Sequence, residues 1–353
     1  ILTPEIQPVY TGGNYDLRLP QHLNKKISED YLEAIKYSRL AHQGLAVLGG
    51  KAPHNHGVFV GGVTESMNAQ RFIQLKGLIS EIRSFISNRM VEDVHIIADY
   101  YKEYFNLGRG YGNLMSYGMF DAYQESSLSY INPSAYVDGK LSALNPSNIS
   151  ENIYNSCYEG SNIQRDLFDE NTEPNMNKPG AYSFVKAPRY EGYPMEVGPL
   201  ARMILSGNYE NRVSMMDRTI ARVLEAKKVI EIMDMLLDRV NFQDINQKNY
   251  EIPDRARGVG MTDTTRGALG HWVSIRDKKI SRYNIITPSV WNCSPSDSYG
   301  AKGVIEQALI GTEIQNVEQP VEIGRIVRSY DPCISCATHI ISDKFEPMEI
   351  TIL

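Results

Sequence analysis

The chain has 353 residues, 42% of them hydrophobic and 22% charged, with a formal net charge of −6 at pH 7. This length allows a large core in one intertwined domain, and the negative charge excludes the basic surface that nucleic acids and anionic membranes attract. No apolar run approaches the ~20 residues that span a bilayer, so membrane attachment is expected only through a partner. The start, Ile1–Pro4, lacks a methionine, a basic segment and an apolar segment, so we expect no signal peptide and a portion of a longer protein.

Apolar residues at helical spacing predict most of the secondary structure. The first helix, over residues 28–48, is expected to begin at the capping residue Ser28 and to stop at the pair Gly49-Gly50. The strongest pattern covers residues 216–240. Further helices are predicted over residues 65–87, 90–106, 302–310 and 319–329.

Alternating β-branched residues predict a hairpin over residues 270–286, with strands at Trp272–Ile275 and Ile280–Ile285. Residues 107–180, rich in Gly, Asn, Ser and Tyr, are predicted as short strands and loops. No internal repeat or linker divides the sequence. The predicted fold class is therefore α+β, mainly α with small β elements, in a single intertwined domain over residues 1–339.

The richest chemistry lies in residues 331–339, which read Asp-Pro-Cys-Ile-Ser-Cys-Ala-Thr-His. Cys333 and Cys336 stand three residues apart and His339 follows three residues later, a spacing that lets these side chains reach one metal ion. Cys157 and Cys293 lie far away in the sequence and are interpreted as buried, inert thiols. Spacing alone leaves four interpretations open: a structural metal site, a catalytic metal site, a redox pair or unreactive thiols.

Other short motifs occur in a fixed order from about residue 10 to the end of the chain. They are Gly49–His54, Gly61–Thr64, Lys186–Tyr190, Pro194–Ala201, Arg266–Trp272, Pro288–Asn292 and Ala308–Thr312. Together with residues 331–339 they resemble the large subunit of nickel–iron hydrogenases, which implies the helical core of that subunit. The sequence of residues 53–57, Pro-His-Asn-His-Gly, is similar to that of the nickel–iron–selenium branch, in which selenium takes the position of Cys333.

The resemblance implies a nickel–iron centre held by four cysteines, with carbon monoxide and cyanide on the iron. Cys333 would be a terminal nickel ligand, and Cys336 would bridge nickel and iron. His339 and the backbone carbonyl of Ile285 would bind a third ion, magnesium or iron, beside that centre.

Further residues would surround the metals. Arg266 would stand over them as a catalytic cation with a permanent charge, and Asp331 would pair with it. Pro288 and Ser289 would line the cyanide pocket together with Arg266, the Ser289 hydroxyl acting as a donor. We expect the thiolate of Cys333 to accept the proton released from dihydrogen.

The resemblance implies reversible oxidation of H2 to protons and electrons. The chain has no iron–sulfur cysteine pattern, so a small subunit with iron–sulfur clusters is expected to carry the electrons. His54 would lie near the wall that faces this partner, while Arg189 and Glu196 are predicted to form structural ion pairs. The expected location is periplasmic or membrane-associated through the partner, and a cytoplasmic location stays open.

The sequence departs from the family pattern in three places. The first cysteine motif, Arg-x-Cys-Gly-x-Cys, is absent, so another chain carrying the N-terminal part is expected to supply the other two cysteines. Thr265 stands where the family has proline before the arginine. Residues 340–353 form a tail that is either a maturation extension, removed after nickel insertion, or a final strand through Met348–Ile352.

Three alternative functions remain at this stage. A hydrogen sensor would share the site but signal instead. A non-catalytic relative in a respiratory complex would share the fold without the cysteines, which this chain retains. A protein stabilised by structural zinc would bind zinc alone, so metal analysis separates it from the others.

Overall fold

A computed structural model describes residues 18–352 except 60–61, 124, 126, 162, 169–172, 211, 243–249, 318–319, 334–335 and 341–347, and only the backbone of 336–340 and 348–352. Within this part, the longest helices pack side by side. The helices are α1 Gln21–Gly49, α2 Ala69–Phe85, α3 Val91–Tyr100, α4 Pro199–Leu205, α5 Met215–Leu237, α6 Pro288–Asn292, α7 Val304–Leu309 and α8 Val321–Ser329.

Helix α1 is longer than predicted. It begins at Gln21, so the predicted start at Ser28 is wrong. The cause is tertiary contact, because Lys26 in the additional turns lies 2.6 Å from the carboxylate of Asp93 on α3. The predicted stop is confirmed, since Gly50 after the helix has a φ of +79°, a left-handed conformation that glycine adopts without steric cost.

Helices α2 and α3 are joined rather than separate. The side chain of Asn68 caps α2 by accepting from the backbone N–H of Arg71, and a π-helical turn at Ile86–Met90 leads into α3. The predicted break between residues 87 and 90 is therefore absent. The predicted helix over 90–106 ends early at Tyr100, and a 3-10 turn at Lys102–Phe105 follows it.

The strands form small antiparallel sheets, the largest of which has the order β11-β10-β9. The predicted hairpin is present as β10 and β11, and the short strands predicted in residues 107–180 are confirmed. The strands are β1 Val58–Phe59, β2 Gly62–Val63, β3 Leu114–Ser116, β4 Ser134–Val137, β5 Lys140–Ala143, β6 Ile149–Asn152, β7 Ile163–Gln164, β8 Ala187–Tyr190, β9 Arg255–Thr264, β10 Gly267–Arg276, β11 Lys279–Ile286, β12 Cys336–Ile340 and β13 Met348–Ile352.

Strand β9 was not predicted from the sequence. It pairs with β10 along its whole length, from Gly267 opposite Thr264 to Arg276 opposite Arg255. Most of its residues are exposed, so the strand has no buried face that would require apolar residues at alternate positions. Its sequence therefore lacks the alternating pattern that predicts a strand. At the chain end, β13 pairs with β12, which confirms the final strand as a structural element.

Helix α5 confirms the prediction over residues 216–240, and α7 and α8 confirm those over 302–310 and 319–329. One apolar core lies between α1, α3, α5, α7 and α8, and another lies between α6 and the strands β3, β8 and β10. Trp291 of α6, with 1% of its surface exposed, anchors the second core. The fold is α+β, as predicted, and no helix in the described residues is long and apolar enough to cross a membrane.

Candidate metal centre

Arg266 lies at the tip of the hairpin that joins β9 to β10. Thr264 and Gly267 are paired residues of the ladder, so Thr265 and Arg266 form a two-residue turn. Gly267 has a φ of +127°, and a Cβ at this position would lie 2.6 Å from the backbone nitrogen of Gly198. The turn can therefore pack against the start of α4 because glycines meet there.

A buried arginine of α4 holds this turn in place. Arg202 donates from Nη1 to the carbonyl of Thr264 at 2.9 Å and from Nη2 to the carbonyl of Thr265 at 3.1 Å. The same guanidinium pairs with Glu225 of α5, Nε to Oε1 at 2.6 Å, and with Asp263 of β9, Nη1 to Oδ2 at 3.0 Å. It thus connects α4, α5 and the hairpin that carries Arg266.

Burial and charge act against each other in this cluster. Burial lowers the pKa of Arg202, but the hydrogen bonds and charge of Glu225 outweigh that effect and raise the pKa. Burial raises the pKa of Asp263, opposed by the Arg202 cation and by the N–H that Tyr117 donates. Arg202 was not predicted from the sequence. The sequence feature that could have indicated its role is the position of a cation directly after the apolar run Pro199–Ala201. A cation on a helix that faces the core needs a buried partner.

The predicted pairing of Arg266 with Asp331 is present. Arg266 donates from Nε to the backbone carbonyl of Asp331 at 2.8 Å, and the same Nε lies 3.3 Å from Oδ2. Asp331 follows α8 with a φ of +51°, a left-handed conformation that aspartate tolerates better than most residues. About a third of the Arg266 side chain, 36%, remains exposed, so its cation can still meet a ligand.

The two predicted structural ion pairs are formed. Arg189 is buried, and its Nε lies 2.7 Å from Oδ2 of Asp297. Glu196 receives two hydrogen bonds from Arg218, from Nε at 2.7 Å and from Nη2 at 2.8 Å. The Arg218 guanidinium also stacks 3.8 Å from the ring centre of Tyr330, the residue before Asp331.

A second arginine of α5, which was not predicted from the sequence either, lies close to the same segment. Arg222 donates from Nη2 to the carbonyl of Ser329 at 3.0 Å. Burial lowers the pKa of Arg222, while the charges of Asp331 and Glu225 act to raise it and that of Arg266 acts to lower it. Arg222 therefore lies within electrostatic reach of both predicted catalytic residues Arg266 and Asp331.

Cys333 and Ser289 are brought together as the sequence predicted. The backbone N–H of Cys333 donates to Oγ of Ser289 at 2.9 Å, and Cys333 is exposed. Ser289 follows the buried Pro288 in the first turn of α6, and its hydroxyl, an acceptor here, can still donate its own hydrogen. Of the cysteines predicted to be inert, Cys157 is buried, whereas Cys293 after the end of α6 is only half-buried.

Other predicted site residues are not brought into this group by the described contacts. Ile285 lies on β11 opposite His271 and is exposed, and His54 is exposed near the end of α1. The side chains of Cys336 and His339 lie outside the described residues. Among the residues that are described, no group of three His, Cys, Asp or Glu side chains could hold a metal ion.

The family of the chain follows from comparison with known proteins. The family model described as nickel-dependent hydrogenase matches residues 6–212 and 205–339. The chain belongs to this hydrogenase family. It is similar to the periplasmic [NiFeSe] hydrogenase large subunit of Desulfomicrobium baculatum, with 33% identity over 338 residues, 88% of this chain and 65% of that protein. It is also similar to the hydrogenase-1 large chain of Escherichia coli K12, with 30% identity, covering 94% of this chain and 67% of that protein.

Solved hydrogenase structures share the fold. The Ni-Fe-Se hydrogenase from D. vulgaris Hildenborough superposes with a TM-score of 0.86 at 32% identity, covering 90% of this chain and 71% of that chain. The chain thus spans about two thirds of the length of its hydrogenase relatives, 65% and 67% for the two large subunits above. The resemblance inferred from the motifs is confirmed, while the roles of individual residues stay predictions.

Proposed function

We propose that the chain is the C-terminal part of a nickel–iron hydrogenase large subunit that catalyses reversible oxidation of H2 to protons and electrons. One observation carries this proposal: Arg266, Asp331, Cys333 and Ser289 converge from a hairpin tip, a helix end and a helix start. The motifs had marked these residues separately, and contacts between them were a requirement of the proposed site.

The residues present fit a nickel–iron centre with carbon monoxide and cyanide ligands. Cys333 offers an exposed sulfur, a soft ligand of the kind that selects nickel and iron over magnesium or calcium. Arg266 and Ser289 offer a permanent cation and a hydroxyl donor, which suit an anionic ligand such as cyanide. Cys336 and two cysteines outside these 353 residues are proposed as the remaining nickel ligands.

When bound, such a centre supplies a metal that polarises H2 so that a base can remove a proton. We assign the base to the thiolate of Cys333, whose sulfur is exposed in this chain. Asp331 fixes the direction of the Arg266 guanidinium through the contacts to its carbonyl and carboxylate. Pro288 fixes the first turn of α6 and thereby the Ser289 hydroxyl.

A third ion, magnesium or iron, is proposed at His339 with the backbone carbonyl of Ile285. β11 is an edge strand of its sheet, which leaves one side of its backbone outside the ladder. The pair Thr264–Gly267 closes the turn and is hydrogen-bonded, so by alternation along β10 the backbone groups of His271 are directed towards β9. Ile285, opposite His271, therefore directs its carbonyl away from β10. Carbonyl oxygen is a hard donor and suits magnesium.

The proposed partners are a small subunit with iron–sulfur clusters and the N-terminal part of the large subunit. Neither nucleic acid nor a direct membrane span forms part of the proposal. A periplasmic location, or membrane association through the small subunit, is supported by the periplasmic hydrogenase among the relatives. Residues 1–339 would be the C-terminal part of the mature large subunit. Residues 340–353, which include the strand β13, would be a maturation extension that is removed after nickel insertion.

Metal analysis of the complex tests the proposed function. The complex is purified from its native source under anaerobic conditions, and we expect nickel at about one per chain, accompanied by iron. Intact-mass measurement of the chain also reports whether it ends at His339. Nickel with no H2 oxidation in a complex with a signalling partner would favour a sensor, and zinc alone would contradict the proposal.

Replacing Arg266 with lysine should lower kcat for H2 oxidation about 10²-fold, the effect of removing one fixed donor from a transition state. Lysine keeps the charge but loses the planar fork that contacts both the carbonyl and the carboxylate of Asp331. The measurement is H2-dependent dye reduction by the purified complex. The matched control is R257K on exposed β9, where the salt bridge to Asp166 lies at the surface. Equal rates in both variants would contradict the role of Arg266.

A further inference from the structure

The short segment that leads from α8 to the cysteine pair, residues 329–333, is held by side chains from three other elements. Arg222 of α5 bonds the carbonyl of Ser329 at 3.0 Å. Arg218 of the same helix stacks on Tyr330 at 3.8 Å. The Arg266 turn and Ser289 of α6 hold the remainder, at 2.8 and 2.9 Å. Four successive anchors therefore set the path of the backbone up to the sulfur of Cys333.

Among these anchors Arg222 is the one that bonds the last residue of α8. Ser329 is the last residue of α8, and the final carbonyls of a helix have no partner within the helix. A guanidinium there satisfies one of these carbonyls and places a cation at the negative end of the helix dipole. Its contact therefore supports the end of α8, after which the turn through Asp331 begins.

Charge gives Arg222 a second influence on the same segment. Asp331 and Arg266 both act on it electrostatically, and so does Glu225, which pairs with Arg202. Asp331 is thus within electrostatic reach of two arginines from separate elements, one of which is its hydrogen-bonded partner Arg266. Loss of the other cation changes both the support and the field at Asp331.

We infer that Arg222 is a positioning residue that fixes residues 329–333 and thereby sets the place of the Cys333 sulfur and the orientation of the Asp331–Arg266 pair. The first half of this inference, that Arg222 fixes residues 329–333, depends only on the contacts described above. The statement that it tunes a metal ligand rests on the proposed function. Two measurements keep these halves apart.

Hydrogen exchange on the full chain within its complex measures the first half. R222M removes every donor while keeping a long apolar side chain, and R222K restores one donor and the charge. We expect the peptide spanning residues 329–333 to exchange about fivefold faster in R222M, as for loss of one ordinary hydrogen bond, and to return towards wild type in R222K. R239Q, at an exposed pair with Glu125 beyond the end of α5, is the control and should match wild type. If R222M does not fold, R222Q replaces it, because the glutamine side chain is shorter and its amide does not reach the carbonyl of Ser329.

Infrared spectroscopy of the purified complex measures the second half. We expect the bands of the metal's diatomic ligands to shift in R222M and to return in R222K, with melting temperatures close to that of R239Q. Three results for R222M would each overturn the inference. They are unchanged exchange of residues 329–333, faster exchange throughout α5 and α8, and infrared bands that do not shift. A wild-type complex without nickel and without such bands instead refutes the proposed function, and the exchange result still decides whether Arg222 positions the segment.

Discussion

Replacing Arg202 with methionine should lower the free energy of unfolding by about 3–5 kcal/mol, the cost of breaking a buried ion pair on one side. The side chain is fully buried, and its removal leaves Glu225 and Asp263 without their cation. It also removes the donors to the carbonyls of Thr264 and Thr265. Urea unfolding of the purified complex, followed by circular dichroism, measures the change.

The matched control for R202M is R83M. Arg83 of α2 pairs with Asp234 of α5 at 2.6 Å, but 44% of the Arg83 side chain is exposed. An exposed pair contributes about 0–1 kcal/mol, so R83M should cost far less than R202M. If both variants lost the same small amount of stability, the buried cluster would not be the connection between α4, α5 and the hairpin described above. R202M also releases the Arg266 turn. We therefore expect its rate of H2 oxidation to be lower than that of wild type even at urea concentrations at which the variant is still folded.

The helices could be predicted from the sequence wherever apolar residues recur at helical spacing. α5, α7 and α8 follow that rule. The start of α1 did not, since the contact of Lys26 with Asp93 depends on where α3 lies. β9 also escaped prediction, because an exposed strand held by its backbone needs no alternating apolar residues.

The candidate site divides in the same way. Arg266, Asp331, Cys333 and Ser289 belong to motifs and could be predicted through the resemblance. The arginines that hold them could not. Along α5, Arg218 and Arg222 stand four residues apart and are followed by Glu225, a spacing typical of a solvated helix face. In the structure this face is covered by the end of α8 and by α4, which only the tertiary fold reveals.

Cys333 provides the sharpest test of the centre. Replacing it with serine should abolish both nickel retention and H2/H+ exchange. A serine hydroxyl stays protonated near neutral pH and is a hard donor, so it replaces neither the soft nickel ligand nor the thiolate base. The measurements are nickel content and the exchange of deuterium from D2 into water by the purified complex.

The structure indicates that this substitution changes the sulfur atom and leaves the backbone contact of residue 333 in place. The contact that holds Cys333 uses its backbone N–H, which serine also has, so the bond to Ser289 at 2.9 Å should persist in C333S. Because Cys333 is exposed, the exchange of sulfur for oxygen leaves no cavity, and the melting temperature should stay near that of wild type without nickel. C157A, which removes a buried thiol, is the opposite control and should cost stability while keeping nickel and exchange. Retention of H2/H+ exchange by C333S would mean that another group takes the proton and that the assignment of Cys333 is wrong.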